Sequence, residues 1–122
     1  MATTNITLGF VSGAKLFTET DLENTAISVQ AVSTTIYEIE IDNTANAAQD
    51  NYVKLWNTAG AVTVGTTVPD MVIEVRQGVS RSIVIPSGFV YETGLAVACV
   101  TAGGTAGTTS PGSAVIVRIV YA

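Results

Sequence analysis

Apolar and polar positions alternate along much of this chain. The clearest case is residues 35–42, TIYEIEID, where Tyr37, Ile39 and Ile41 fall on one side and Glu38, Glu40 and Asp42 on the other. Alternation of this kind makes a strand with one buried and one solvated face. The three acids then read as a solvated strand face, offset by Lys or Arg on a neighbouring strand. Residues 26–32 alternate weakly. In residues 52–57, YVKLWN, an outward Lys54 places Val53 and Leu55 toward a core and leaves Tyr52, Lys54 and Trp56 on the opposite face. Such an aromatic and cationic stripe is either covered by a loop or the other sheet, or it meets another chain, since aromatic side chains anchor interfaces.

The second half repeats the pattern. Residues 71–76 turn Met71, Ile73 and Val75 inward and Glu74 and Arg76 outward. Residues 80–85 make a further strand, Pro86-Ser87-Gly88 a turn, and residues 89–92 a short strand with Phe89 and Tyr91 on one face. Residues 94–101, GLAVACVT, are small and apolar on both faces, which suits a central strand covered on both sides. Residues 114–121, AVIVRIVY, form the last strand, with Arg118 its only charge. Residues 58–70 carry Gly60, Gly65 and Pro69, with AVTVG (61–65) offering a short edge strand. Residues 43–50 and 102–113 read as loops.

The N-terminal part is the least regular. Residues 6–11, ITLGFV, offer a short strand. The following stretch either makes a helical turn around residues 19–23 or lies as an extended arm on a neighbour. These signals predict an all-β chain: an antiparallel β-sandwich, jelly-roll or Ig-like, of seven to nine strands. Residues 1–24 form an N-terminal arm, and residues 25–122 a single sandwich domain. Spacing does not give the strand order.

Composition narrows the chemistry. Of 122 residues, 48% are hydrophobic and only 12% charged. So little charge on so apolar a chain favours burial of some surface against other subunits. Net charge is −5, and the five basic residues (Lys15, Lys54, Arg76, Arg81 and Arg118) are scattered, so no basic run tracks a nucleic acid. No segment reads as a membrane span or a secretory leader, and the expectation is synthesis in a cytoplasm. Cys99, the single cysteine, lies in an apolar run and reads as a small buried hydrophobe.

The chain has no histidine. A nucleophile needs a base within reach, and none can be assembled around Lys15 or Lys54. Glu38, Glu40, Asp70 and Glu92 are available carboxylates, but none sits in a distinctive context. Asp42, Asn46 and Asp50 have a spacing superficially like a calcium loop, without its central Gly and terminal Glu. Residues 102–113 hold glycines and hydroxyls but no Lys, so they are no phosphate-binding loop. The expectation is a protein that is not an enzyme and holds no cofactor or metal.

From Tyr52 onward the sequence resembles a group of small tailed-bacteriophage virion structural proteins. The carrying motifs are YVKLWN, TVGTTVPDMVIEV, IPSG, ETGLAVACVTAGGT and AVIVRIVYA, and the match covers residues 36–122. The resemblance implies a virion protein, most similar to a capsid decoration (cement) protein. Such a protein sits on the major capsid protein lattice and associates with itself, often as a trimer. A tail, baseplate or head-fibre component that binds host-surface carbohydrate is the other implied class. Neither nucleic acid nor membrane is an expected partner. The expected contact residues are Phe10 and Phe17 in the arm, and Tyr52, Lys54 and Trp56.

Overall fold

The structure, a computed structural model, describes residues 2–7 and 13–122. Among them are nine strands and no helix: β1 (Thr3–Thr7), β2 (Lys15–Glu19), β3 (Ile27–Gln30), β4 (Thr34–Asp42), β5 (Asn51–Trp56), β6 (Met71–Val75), β7 (Ser80–Tyr91), β8 (Leu95–Val100) and β9 (Ile116–Tyr121). They form two antiparallel sheets, one ordered β1-β2-β9-β4-β7 and the other β3-β8-β5-β6.

The pairing has a simple logic. β5 and β6 form a hairpin, and outward from it β4 pairs with β7, β3 with β8 and β2 with β9. The chain is one long double ribbon that crosses from sheet to sheet as it wraps. The β4–β9 and β5–β8 ladders then join its turns. This is jelly-roll topology, with β1 added outside β2. It settles the choice the alternation left open in favour of the jelly-roll.

Period-2 alternation builds the core between the sheets. β9 sends Val117, Ile119 and Tyr121 inward, and β4 sends Ile36, Ile39 and Ile41. The small sheet answers with Val53, Leu55, Ile73, Val75, Leu95, Val97 and Cys99. One expected assignment fails in β4. A register irregularity between Ile36 and Glu38 puts Tyr37 out of phase, so Ile36, rather than Tyr37, shares the inner face with Ile39. A bulge adds one residue and reverses the parity before it, which alternation read residue by residue does not detect.

β7 runs unbroken where a turn was expected. Its residues 85–88 lie opposite the single Tyr37, between the Glu38–Val84 and Ile36–Phe89 pairs. Pro86 is tolerated because β7 is an edge strand and needs no donor there. Gly88 has φ +78°, and a side chain there would collide with Thr35 and Tyr37. Residues 61–65 form no strand.

Within the expected N-terminal arm, β1 pairs antiparallel with β2, and β2 pairs along its length with β9, so both strands belong to the rim of the large sheet. No helical turn forms at residues 19–23. Instead Leu22 N donates to Val115 O and Cys99 N donates to Glu23 O, tying the β2–β3 crossing to both sheets. Glu19 is fully buried, and its carboxylate accepts from Ala2 N, Thr3 Oγ1 and Asp21 N.

Candidate partner interface

The two sheets treat their outer faces differently. On the small sheet that face carries Tyr52, Lys54, Trp56, Ala96, Ala98 and Val100. Its centre, on β5 and β8, lies beneath the chain's own loops, while Val72 and Glu74 at the β6 edge stay exposed. Trp56 is 1% exposed; its Nε1 donates to Thr67 O at 3.0 Å, and its ring packs with Ala96, Ala98, Ala26, Val62 and Val64 in a second apolar cluster. Lys54 is also 1% exposed, and its Nζ donates to the carbonyls of Gly104 at 2.6 Å and Gly107 at 3.3 Å. Tyr52 is half-buried, with Gly103 against its ring. The loops also meet each other: Gly65 (φ +96°) faces Thr108, and any side chain there would overlap the Thr108 methyl.

Of the two fates open to the expected contact stripe, Lys54 and Trp56 meet the first: they lie on the sheet's outer face, but residues 58–70 and 101–113 fold back over them and leave neither exposed. The physical reason is that Trp56 offers apolar area and a donor, and Lys54 offers donors to glycine-loop carbonyls that would otherwise lose water. Burial holds the Lys54 ammonium below the ordinary lysine value, since desolvation disfavours its charged form. Phe17 is likewise fully buried: β2 turns it into the main core, across from Ile119. Phe10 lies outside the described residues.

Among the described residues no loop covers the large sheet in this way. Register places Ile6, Leu16, Val120, Glu38 and Val84 in one row across all five strands. Ile6 is 54% exposed and Val84 63%, while Leu16 and Val120 are half-buried. The next row on the same face is polar: Thr4, Thr18, Arg118, Glu40 and Ser82. There Arg118 Nη1 donates to Glu40 Oε1 at 2.8 Å, so the expected cross-strand offset holds for Glu40. Among the described residues Glu38 has no such ion pair. Asp42 accepts from Thr44 N and Thr44 Oγ1, which hold its carboxyl below the usual carboxylate range. At the β7 margin Val90 adds further exposed apolar surface. An uncovered apolar row beside a polar one is what a docking surface requires.

The remaining candidate groups are engaged elsewhere. Asp42, Asn46 and Asp50 face three different sets of partners: Thr44, then Asn43 with Ser113, then Gln77 N. Among the described residues no three acidic or cysteine side chains gather as a metal would need. Asp70 accepts from Asn57 N at 2.7 Å. Cys99 is buried, as its sequence context predicts, and burial pushes its thiol up to about 12. Asn43 is the hub of a buried amide network, accepting from Asn46 and Asn51 and donating to carbonyls of Gln49, Val75 and Arg76. An open cleft lies between the free edges of β6 and β7, lined by Glu74, Arg76, Val79, Ser80 and Arg81. Arg81 spans it, donating to Glu74 O at 2.8 Å.

Sequence reasoning missed the apolar row because its members come from four strands and meet only through register. A faint signal exists in β9, where Ile116 and Val120 accompany Arg118 on the outward side and leave that side more apolar than water favours. Compared with protein-family models, with curated proteins and with solved structures, the chain matches none of them.

Proposed function

We propose that this is a virion structural protein, a capsid decoration (cement) protein that binds and stabilises the major capsid protein shell, present there as a homo-oligomer with a trimer favoured. The observation that carries the reading is the exposed apolar row on the five-stranded sheet, in a chain whose loops cover the β5 and β8 part of its other outer face. The sequence resemblance supplies the class. Its motifs correspond to β5, to the loop before β6 and β6 itself, to the insertion in β7, to β8 with its covering loop, and to β9. They are the parts that build and seal the jelly-roll. Decoration asks for a rigid block with one sticky face, repeated many times. Each contact can be modest, because a lattice of simultaneous contacts raises the effective affinity by about 10²–10⁴.

The test is the heat and osmotic tolerance of particles with and without this protein. Decorated particles survive higher temperature; equal tolerance overturns the proposal. A second reading, a tail, baseplate or head-fibre component that binds host-surface carbohydrate, draws on the β6–β7 cleft, whose Glu74, Arg76, Ser80 and Arg81 offer donors and acceptors to hydroxyl groups. Copy number separates the two: hundreds per particle for the shell, a few to tens for the tail.

A further inference from the structure

We infer that the outer face of the five-stranded sheet docks on a foreign protein surface that sets a lysine or arginine against Glu38, within an otherwise apolar contact. The inference rests on the decoration reading and adds the face and the chemistry of its partner.

Glu38 sits inside the apolar row, between Val120 and Val84. Its neighbour on the same face, Glu40, has Arg118; among the described residues Glu38 has no ion-pair partner. In water this is harmless. Under a docked surface that excludes water from Leu16, Val120 and Val84, an uncompensated carboxylate would lose its hydration with nothing to replace it. A partner that covers the row therefore supplies a cation there.

A second copy laid face to face does not. It would bring its own Glu38 and Asp42 against the same acids, with only an Arg118 already paired to Glu40. Each chain also carries a net charge of −5. The other cations lie elsewhere. Lys54 is beneath the loops, Lys15 bonds to Gln30 and rests over the Tyr121 ring, and Arg76 and Arg81 line the β6–β7 cleft. A face-to-face copy therefore supplies no cation, and the inferred complement is a different protein, basic where this face is acidic.

The experiment is co-sedimentation with capsid shells that lack this protein, at about 0.05 and 0.5 M salt, where screening of an exposed pair differs strongly. Wild type, Val84→Asp, Glu38→Gln and Glu38→Lys are compared, each checked for an intact fold by Trp56 fluorescence. Val84→Asp and Glu38→Lys are expected to lose at least about tenfold in apparent affinity. Salt is expected to weaken wild type more than Glu38→Gln. If wild type binds and both charged variants bind equally well, this inference falls and the decoration reading stands. If wild type does not bind shells, the decoration reading falls and takes the inference with it. If free wild type self-associates in sedimentation equilibrium and Val84→Asp or Glu38→Lys abolishes that, the face belongs to a second copy and the inference is overturned.

Discussion

The outer faces of the two sheets have similar raw material and opposite fates. Each carries apolar side chains on alternate positions of adjacent strands. On the small sheet, Trp56, Ala96 and Ala98 are sealed by Val62 and Val64, and Lys54 is latched to Gly104 and Gly107. On the large sheet, Ile6 and Val84 stay exposed and Leu16 and Val120 half-buried. The difference comes from the connections. The long segments 57–70 and 101–115, before β6 and after β8, lie on the small sheet's side. The lesson is that an aromatic stripe is a poor guide to an interface when long glycine-rich loops are within reach of it.

Substitutions can break this comparison. The largest effect is expected from Trp56→Ala, which empties the second cluster and orphans Thr67 O. A loss of about 3–5 kcal/mol in denaturant unfolding is the usual cost of such a truncation. A loss below about 1 kcal/mol, within ordinary surface behaviour, would mean the loops do not seal this face.

Alkaline unfolding comes next. Cys99 rises from 9.0 to about 12 through burial, and Tyr91 from 10.0 to about 12. Both folded values lie above the unfolded ones. Their contribution is therefore intact below pH 9, and is lost as pH climbs through about 12. For Cys99 the shift corresponds to roughly 4 kcal/mol. Cys99→Ala should flatten the alkaline fall, measured by urea titration at successive pH values; an unchanged slope would contradict the sealed position of the thiol. Lys54 acts in the other sense. Its folded value is depressed, so its contribution is present above pH 10.5 and is lost as pH falls.

Lys54→Met should cost about 1–3 kcal/mol, since two loop carbonyls lose their donor. The loss should concentrate as faster hydrogen exchange in residues 101–113. Exchange accelerated equally throughout the chain would show that Lys54 does not act as a loop latch. The smallest effect is expected from Val84→Ser on the open face, within about 0.5 kcal/mol. A penalty as large as that of Trp56→Ala would show that the row is internal after all.

Much of the fold was legible from local pattern. Alternation found β4, β5, β6 and β9, the all-apolar run found β8 as a central strand, and turn residues found most boundaries. The failures were specific. Tyr37 was misplaced because a bulge has no sequence period. β7 was split because Pro86 and Gly88 read as a turn, while an edge strand accommodates both. β2 was missed because KLFTE hides a charged residue on its inner side: Glu19 is buried with three donors, two of which, Ala2 N and Thr3 Oγ1, only the folded N-terminus supplies.

What the sequence determined alone is the kind of object: period-2 patterning and β-branched residues commit the chain to two sheets and assign most inner faces. Which outward face remains free was decided by tertiary structure. The chain's parity places Trp56 and Val84 alike on outward positions. Only the path of the loops, and the register that aligns Ile6, Leu16, Val120 and Val84 across strands far apart in sequence, makes one of them internal and leaves the other exposed.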